Sequence, residues 1–178
     1  MKQLLLLRHA KSSWDDPELA DHDRPLAPRG RRAARLIAEH LRLESAAPEL
    51  VLCSSARRTR ETLDRIAPAL GEAVAVAVER ELYAASEHRL LERVRAIDEG
   101  AESVLLIAHS PGIEQLALSL ASSGAGLAAL RRKYPTGALA TLEFAGPWRE
   151  LAPGNARVTD FVTPKQLAKR CAAPRVRR

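Results

Sequence analysis

Aromatic residues are scarce: two Trp, two Tyr and two Phe in 178 residues. That is too few for the stacking platform on which single-strand nucleic-acid binders lay successive bases. Cysteine is scarcer still, with only Cys53 and Cys171. Nothing marks the two as a bridge, which argues against a disulfide-built scaffold and for a reducing, cytoplasmic setting. Long apolar runs are missing too. Leu4 to Leu7, Val104 to Ala108 and Ala73 to Val78, the longest, span four to six residues, whereas a membrane-spanning helix needs roughly 20. The opening MKQLLLLRHA imitates a short signal peptide, but Arg8 and His9 interrupt it where a cleavage site should follow. No membrane partner is expected.

The composition that is present, 46% apolar and 28% charged, is ordinary for a globular chain. The length suits one domain with a core of its own. The net charge of +6 is concentrated at one end. From Thr163 onward the chain carries Lys165, Lys169, Arg170, Arg175, Arg177 and Arg178 and no acid, so the body is near neutral. Residues 1–164 are expected to form the single domain and 165–178 a basic, solvated and disordered tail. Nucleic-acid binding is not expected.

Short continuous apolar runs alternate with helical stripes. Gln3 to Leu7, Leu50 to Cys53, Val74 to Val78, Val104 to Ala108 and Ala138 to Phe144 read as strands, and runs without alternation suit a sheet covered on both faces. Helical stripes occupy about 29–43, 58–70 and 86–99. A fourth helix begins at Ser110-Pro111, where Ser can cap and Pro suits the first turn. The pattern predicts an α/β fold, a three-layer α/β/α sandwich around a mostly parallel sheet.

Three strands end in similar chemistry. The first runs into Arg8-His9, the second into Cys53-Ser54-Ser55 with Arg57, Arg58 and Arg60 following, and the fourth into His109. Ligands of open α/β sheets bind beyond the carboxyl ends of the strands, so two imidazoles and several guanidiniums would share one crevice. Such a set suits a phosphate, whose oxygens guanidiniums hold bidentately. Taken singly, His9 reads as a satisfied strand-end histidine, Arg57 to Arg60 as an exposed helix face, and His109 as a local cap. The recurrence at equivalent strand ends favours the site. His40 and His88 fall inside helices and read as structural; His22, in an acidic loop, stays ambiguous.

In order along the chain, LLLLRHAKSSW (Leu4 to Trp14), DHDRPLAPRG (Asp21 to Gly30), CSSARRTRETL (Cys53 to Leu63), ELYAAS (Glu81 to Ser86) and IAHSPGIEQLA (Ile107 to Ala117) resemble the histidine phosphatase superfamily. The resemblance is closest to its short SixA-type phosphohistidine phosphatase branch. It implies a phosphoglycerate mutase-like fold. It also implies that His9 is the nucleophile that becomes transiently phosphorylated, and that Arg8, Arg58 and His109 steady the phosphoryl group. Counting from Ser54 selects Arg58 rather than Arg57. Asp21 and Glu81 are equal candidates for donating a proton to the leaving group, and Ser12 joins the expected phosphate-binding set. The sequence departs from the family at Ala10, where Gly is usual, and at Ser55, where Pro is usual.

The expected activity is a phosphatase that works without metal or other cofactor through a phosphohistidine intermediate. Its substrate is phosphohistidine on a protein or, alternatively, a small phosphate ester. Lys11, Ser12, Trp14, Thr136 and Gly137 lie near the inferred mouth. A non-catalytic phosphate-binding module would need a broken pocket, and a metallohydrolase would need a paired histidine or cysteine motif that the chain does not carry.

Overall fold

Leucine-rich β1 (Lys2–Arg8) lies at the centre of a seven-stranded sheet. The computed structural model describes residues 1–44 and 47–172. After β1 come α1 (Pro28–Leu43), β2 (Leu50–Ser54), α2 (Arg57–Ile66), β3 (Ala75–Glu79), α3 (Glu87–Arg95), β4 (Ser103–Ala108) and α4 (Gly112–Leu120). Then follow β5 (Ala121–Ser123), α5 (Leu127–Arg132), β6 (Leu139–Phe144), β7 (Ala156–Val162) and α6 (Pro164–Ala172). The strand order is β3-β2-β4-β1-β6-β7-β5. Only β6 runs against the others, pairing antiparallel with β1 and β7. The mostly parallel α/β sandwich expected from the sequence is present.

β1 is apolar at successive positions because both of its faces are covered. Leu4 and Leu6 join one core with α3, α4 and α5; Leu5 and Leu7 join the other with α1, α2 and α6. Each fully buried Leu or Ile contributes about 1.5–3 kcal/mol, enough to hold helices that are mostly charged. α2, with the sequence RRTRETLDRI, presents only Leu63 and Ile66 to the core. Its buried threonines supply the remaining attachment. Thr59 Oγ1 donates to the Ser54 carbonyl at 2.7 Å, and the Ala10 N–H donates to Thr62 Oγ1 at 3.1 Å.

Two expectations are corrected. The stretch from residue 165 is helical through Ala172, because Leu167 buries against the α1–α2 core; 173–178 lie outside the described residues. Ser110 does not cap α4. The first turn closes instead through the Ile113 N–H on the His109 carbonyl at 3.0 Å. No helix is long and apolar enough to cross a membrane among the described residues. Cys53 is buried and Cys171 exposed, and both are free.

Candidate active site

Strand register brings the predicted chemistry together. Arg8 pairs with Ala108 across β1 and β4, and Cys53 with Ile107 across β2 and β4, so three carboxyl ends open on one crevice. One residue beyond the pairing, His9 leaves β1 and His109 leaves β4. Their ring centroids are 5.1 Å apart.

His9 Nδ1 lies 2.7 Å from the Ala10 carbonyl oxygen. A carbonyl can only accept, so Nδ1 carries the proton and Nε2 keeps its lone pair. Burial, reinforced by the Arg58 and Arg8 charges, pushes the imidazole down to about 4. The ring is therefore neutral at physiological pH, as an attacking nitrogen requires. Ala10 fits without the freedom of glycine: its methyl is buried with Leu26 and Ala34. Ala84 is the only non-glycine residue with positive φ among the described residues.

Arg58, on the first turn of α2, is 7% exposed and lies at the middle of the network. Its Nη1 donates to the Asp21 carbonyl, and its Nη2 to Asp21 Oδ2 at 2.9 Å and His109 Nδ1 at 3.3 Å. With Nδ1 accepting, His109 donates from Nε2 to Ser54 Oγ at 2.7 Å. Burial first, then the neighbouring His9 and Arg58, pushes His109 down to about 3. Arg57, by contrast, turns outward to Glu61 at 2.8 Å. Arg8 Nη1 donates to the Tyr134 carbonyl at 2.7 Å, and buried Tyr134 is anchored by its hydroxyl on the Leu6 carbonyl at 2.6 Å.

The two acid candidates fare differently. Asp21 receives the Tyr83 hydroxyl at 2.7 Å, Arg58, and Arg24 Nη1 at 3.2 Å. The Tyr83 hydroxyl first, then the two guanidiniums, hold its carboxyl below the usual range. Glu81 is exposed on the turn Arg80–Leu82 and makes no hydrogen bond or ion pair among the described residues. The residue of that segment that reaches the crevice is Tyr83, edge-on to His109 at 5.5 Å and to His22 at 4.9 Å. Its motif was visible in the sequence; its hydroxyl's reach to Asp21 was not. His22 stands at the rim, Nε2 2.9 Å from Ser55 Oγ, so the residue in place of the usual proline supplies its partner. Ser12 accepts from Arg24 Nη2 at 3.1 Å, while the Arg24 guanidinium stacks on Trp14.

Three guanidiniums, from Arg8, Arg24 and Arg58, surround one carboxylate and two neutral rings. The crevice is left with surplus positive charge suited to an oxyanion. Arg8 Nε and Ser110 Oγ, on the residues flanking the imidazoles, are buried without a partner among the described residues. Buried polar atoms rarely stay unpaired, and an oxyanion or a water, accepting from them, would satisfy such donors.

The sequence profile of the histidine phosphatase superfamily (branch 1) matches residues 4–86. An uncharacterised protein of Mycobacterium tuberculosis is 40% identical over 163 residues, covering 89% of this chain and 100% of that one. A solved structure from Nakamurella multipartitia, of a candidate phosphohistidine phosphatase SixA, is 32% identical with a TM-score of 0.79, covering 92% of this chain and 96% of that one. The protein histidine phosphatase SixA complexed with tungstate is 26% identical with a TM-score of 0.75, covering 93% and 99%.

Proposed function

The chain belongs to the histidine phosphatase superfamily, in its SixA-type branch, and on that premise we propose that it is a metal-independent phosphatase acting on phosphohistidine carried by proteins. The observation that carries this reading is His9 itself: Nδ1 tied to the Ala10 carbonyl, Nε2 free, and the ring 5.1 Å from His109 inside a guanidinium cup. The His9 Nε2 lone pair attacks phosphorus in line. The bond from phosphorus to the leaving group breaks, and the leaving group takes a proton from Asp21. Water, giving a proton to the Asp21 carboxylate, then attacks phosphorus in phospho-His9; the N–P bond breaks, inorganic phosphate leaves, and the ring and the Asp21 acid are both restored. Arg8 and Arg58 offset charge on the equatorial oxygens, the principal task in phosphoryl transfer, and His109 helps to hold Arg58 in place. Guanidiniums perform it here in place of a metal ion. That a SixA structure holds tungstate, a tetrahedral oxyanion, supports an oxyanion in this crevice.

Asp21 is preferred to Glu81 because it already touches Arg58. A phosphoryl group that draws Arg58 to itself removes one of the partners that keeps Asp21 ionised, so the carboxyl gains the proton it must donate. Hydrolysis of an aryl phosphate in excess chelator, compared between wild type and His9→Ala, tests the reaction. Turnover survives the chelator and falls at least about a thousand-fold in the variant, and acid-labile, base-stable phosphate appears on the wild-type chain alone. Loss of activity with chelator would overturn metal independence. Asp21→Asn slows poor leaving groups more than good ones, whereas Glu81→Gln does not; the reverse order would reassign the donor. A phosphohistidine protein is turned over in preference to small esters, and indifference between them would favour a broad phosphomonoesterase.

A further inference from the structure

A cavity of about 720 Å³ is lined by none of Arg8, His9, Arg58 and His109. It lies beside them. Lys11, two residues beyond His9, forms one wall, and Thr136 and Pro164 form another. Between these, the Gly137 N–H bonds to the Arg8 and His9 carbonyls, and any side chain at Gly137 would press on Pro164. The cavity thus opens one residue away from the backbone that fixes the nucleophile.

Its charge is of one sign. Lys11, Arg29, Arg32, Arg132, Lys133 and Lys165 line it, with no acid among the lining residues. None of the six is in an ion pair among the described residues. The floor, by contrast, is apolar, with Leu36, Phe161 and Ala168. Cations held close together without partners raise one another's electrostatic energy, which an anionic occupant relieves. A bare phosphate would leave the apolar floor uncovered. A nucleic acid would find one aromatic, Phe161, and that ring is only 6% exposed. The chain's own residues 173–178 carry three arginines and no acid, which mismatches the groove.

We propose that this groove docks an acidic segment of the phosphoprotein substrate, with carboxylates on the six cations and at least one apolar side chain on the floor. The proposal rests on the phosphohistidine reading and adds the chemistry of the substrate around the reacting group. Docking beside the site, rather than in it, lowers KM without touching the chemical step.

The test uses the full chain and the variant Arg29→Glu/Arg32→Glu/Lys165→Glu, three exposed positions outside the catalytic set. The probes are an acidic, leucine-containing peptide with one phosphohistidine, a lysine-rich counterpart, and a fluorescent unphosphorylated copy of the acidic peptide. In the variant, KM for the acidic phosphopeptide rises about ten-fold and its salt dependence weakens, while kcat and aryl phosphate hydrolysis stay within about two-fold. An unchanged KM, a parallel loss on aryl phosphate, or tighter binding of an oligonucleotide or an anionic vesicle than of the acidic peptide would overturn the proposal. If neither phosphopeptide is hydrolysed but the fluorescent copy binds wild type about ten-fold more tightly than the variant, the docking site stands and the phosphohistidine reading falls. Hydrolysis that ignores the groove charges has the opposite meaning.

Discussion

His9, the proposed nucleophile, illustrates how burial and one carbonyl together keep an imidazole neutral with one nitrogen free. The Ala10 carbonyl chooses the tautomer, and desolvation keeps the ring uncharged down to about 4. The pH profile of kcat/KM, which reports the free enzyme, therefore loses its acid limb near 4 rather than near the free-histidine value of about 6.5. An acid limb at 6.5 would mean that the ring is solvated. The same shift appears in stability. As pH falls below about 6.5 the unfolded chain takes up protons that His9 and His109 refuse in the folded state, so the free energy of unfolding declines from about 6.5 toward about 4 and 3. Above 6.5 neither ring contributes a slope. Urea unfolding at several pH values checks this, and His109→Gln flattens the decline. His9 and His109 were legible as candidates because each follows a strand end, Arg8 because it closes β1, and Arg58 through the resemblance of its motif to the family. Tyr83 was not: a hydroxyl in a loop gives no sign of a carboxylate 62 residues away, and only folding shows that it points at Asp21; Arg24 sits three residues from Asp21 in the same motif, and the structure pairs the two.

At the scale of elements, two helices fix the catalytic loops by close backbone approach and by buried hydroxyls. α1 passes so near the loop after His9 that a Cβ at Gly30 would strike the Lys11 carbonyl. Neither backbone has a flexible end that could yield. Gly30→Ala accordingly costs about 1–3 kcal/mol and displaces the His9 to Lys11 loop. The expected readout is a lowered Tm together with a kcat loss larger than any change in KM; unchanged kinetics would show that the loop holds its position independently of α1. The elements that sequence patterning missed share one physical cause. β7 alternates buried Ala156, Val158 and Phe161 with Arg157 and Asp160, and so lacks the continuous apolar run that marked β1 and β4. α6 carries Leu167 as its only fully buried residue, so its helix depends on the neighbouring α1 rather than on its own sequence.

The whole molecule is two apolar layers separated by one sheet. Ile66 belongs to the α1–α2–α6 side and Ile113 to the α3–α4–α5 side, each without exposed surface. Ile66→Val and Ile113→Val each destabilise by about 1 kcal/mol, and their effects add within about 0.5 kcal/mol because the two share no partners. A larger coupling in chemical denaturation would mean that the sheet transmits repacking from one side to the other.

Alternation of apolar runs and helical stripes, read along the chain, was enough to establish the α/β class and the central strands; it put His9 and His109 at strand ends as candidates, while the family resemblance singled out Arg58. Those signals are local, since side-chain periodicity reports which faces are buried without saying what covers them. Only the tertiary structure shows that Asp21 touches Arg58, that Ser12 accepts from Arg24, and that six cations from α1, α5, α6 and their loops, without an ion pair among the described residues, line one groove. Each of these depends on which distant segments become neighbours across the sheet, and strand order and register set that.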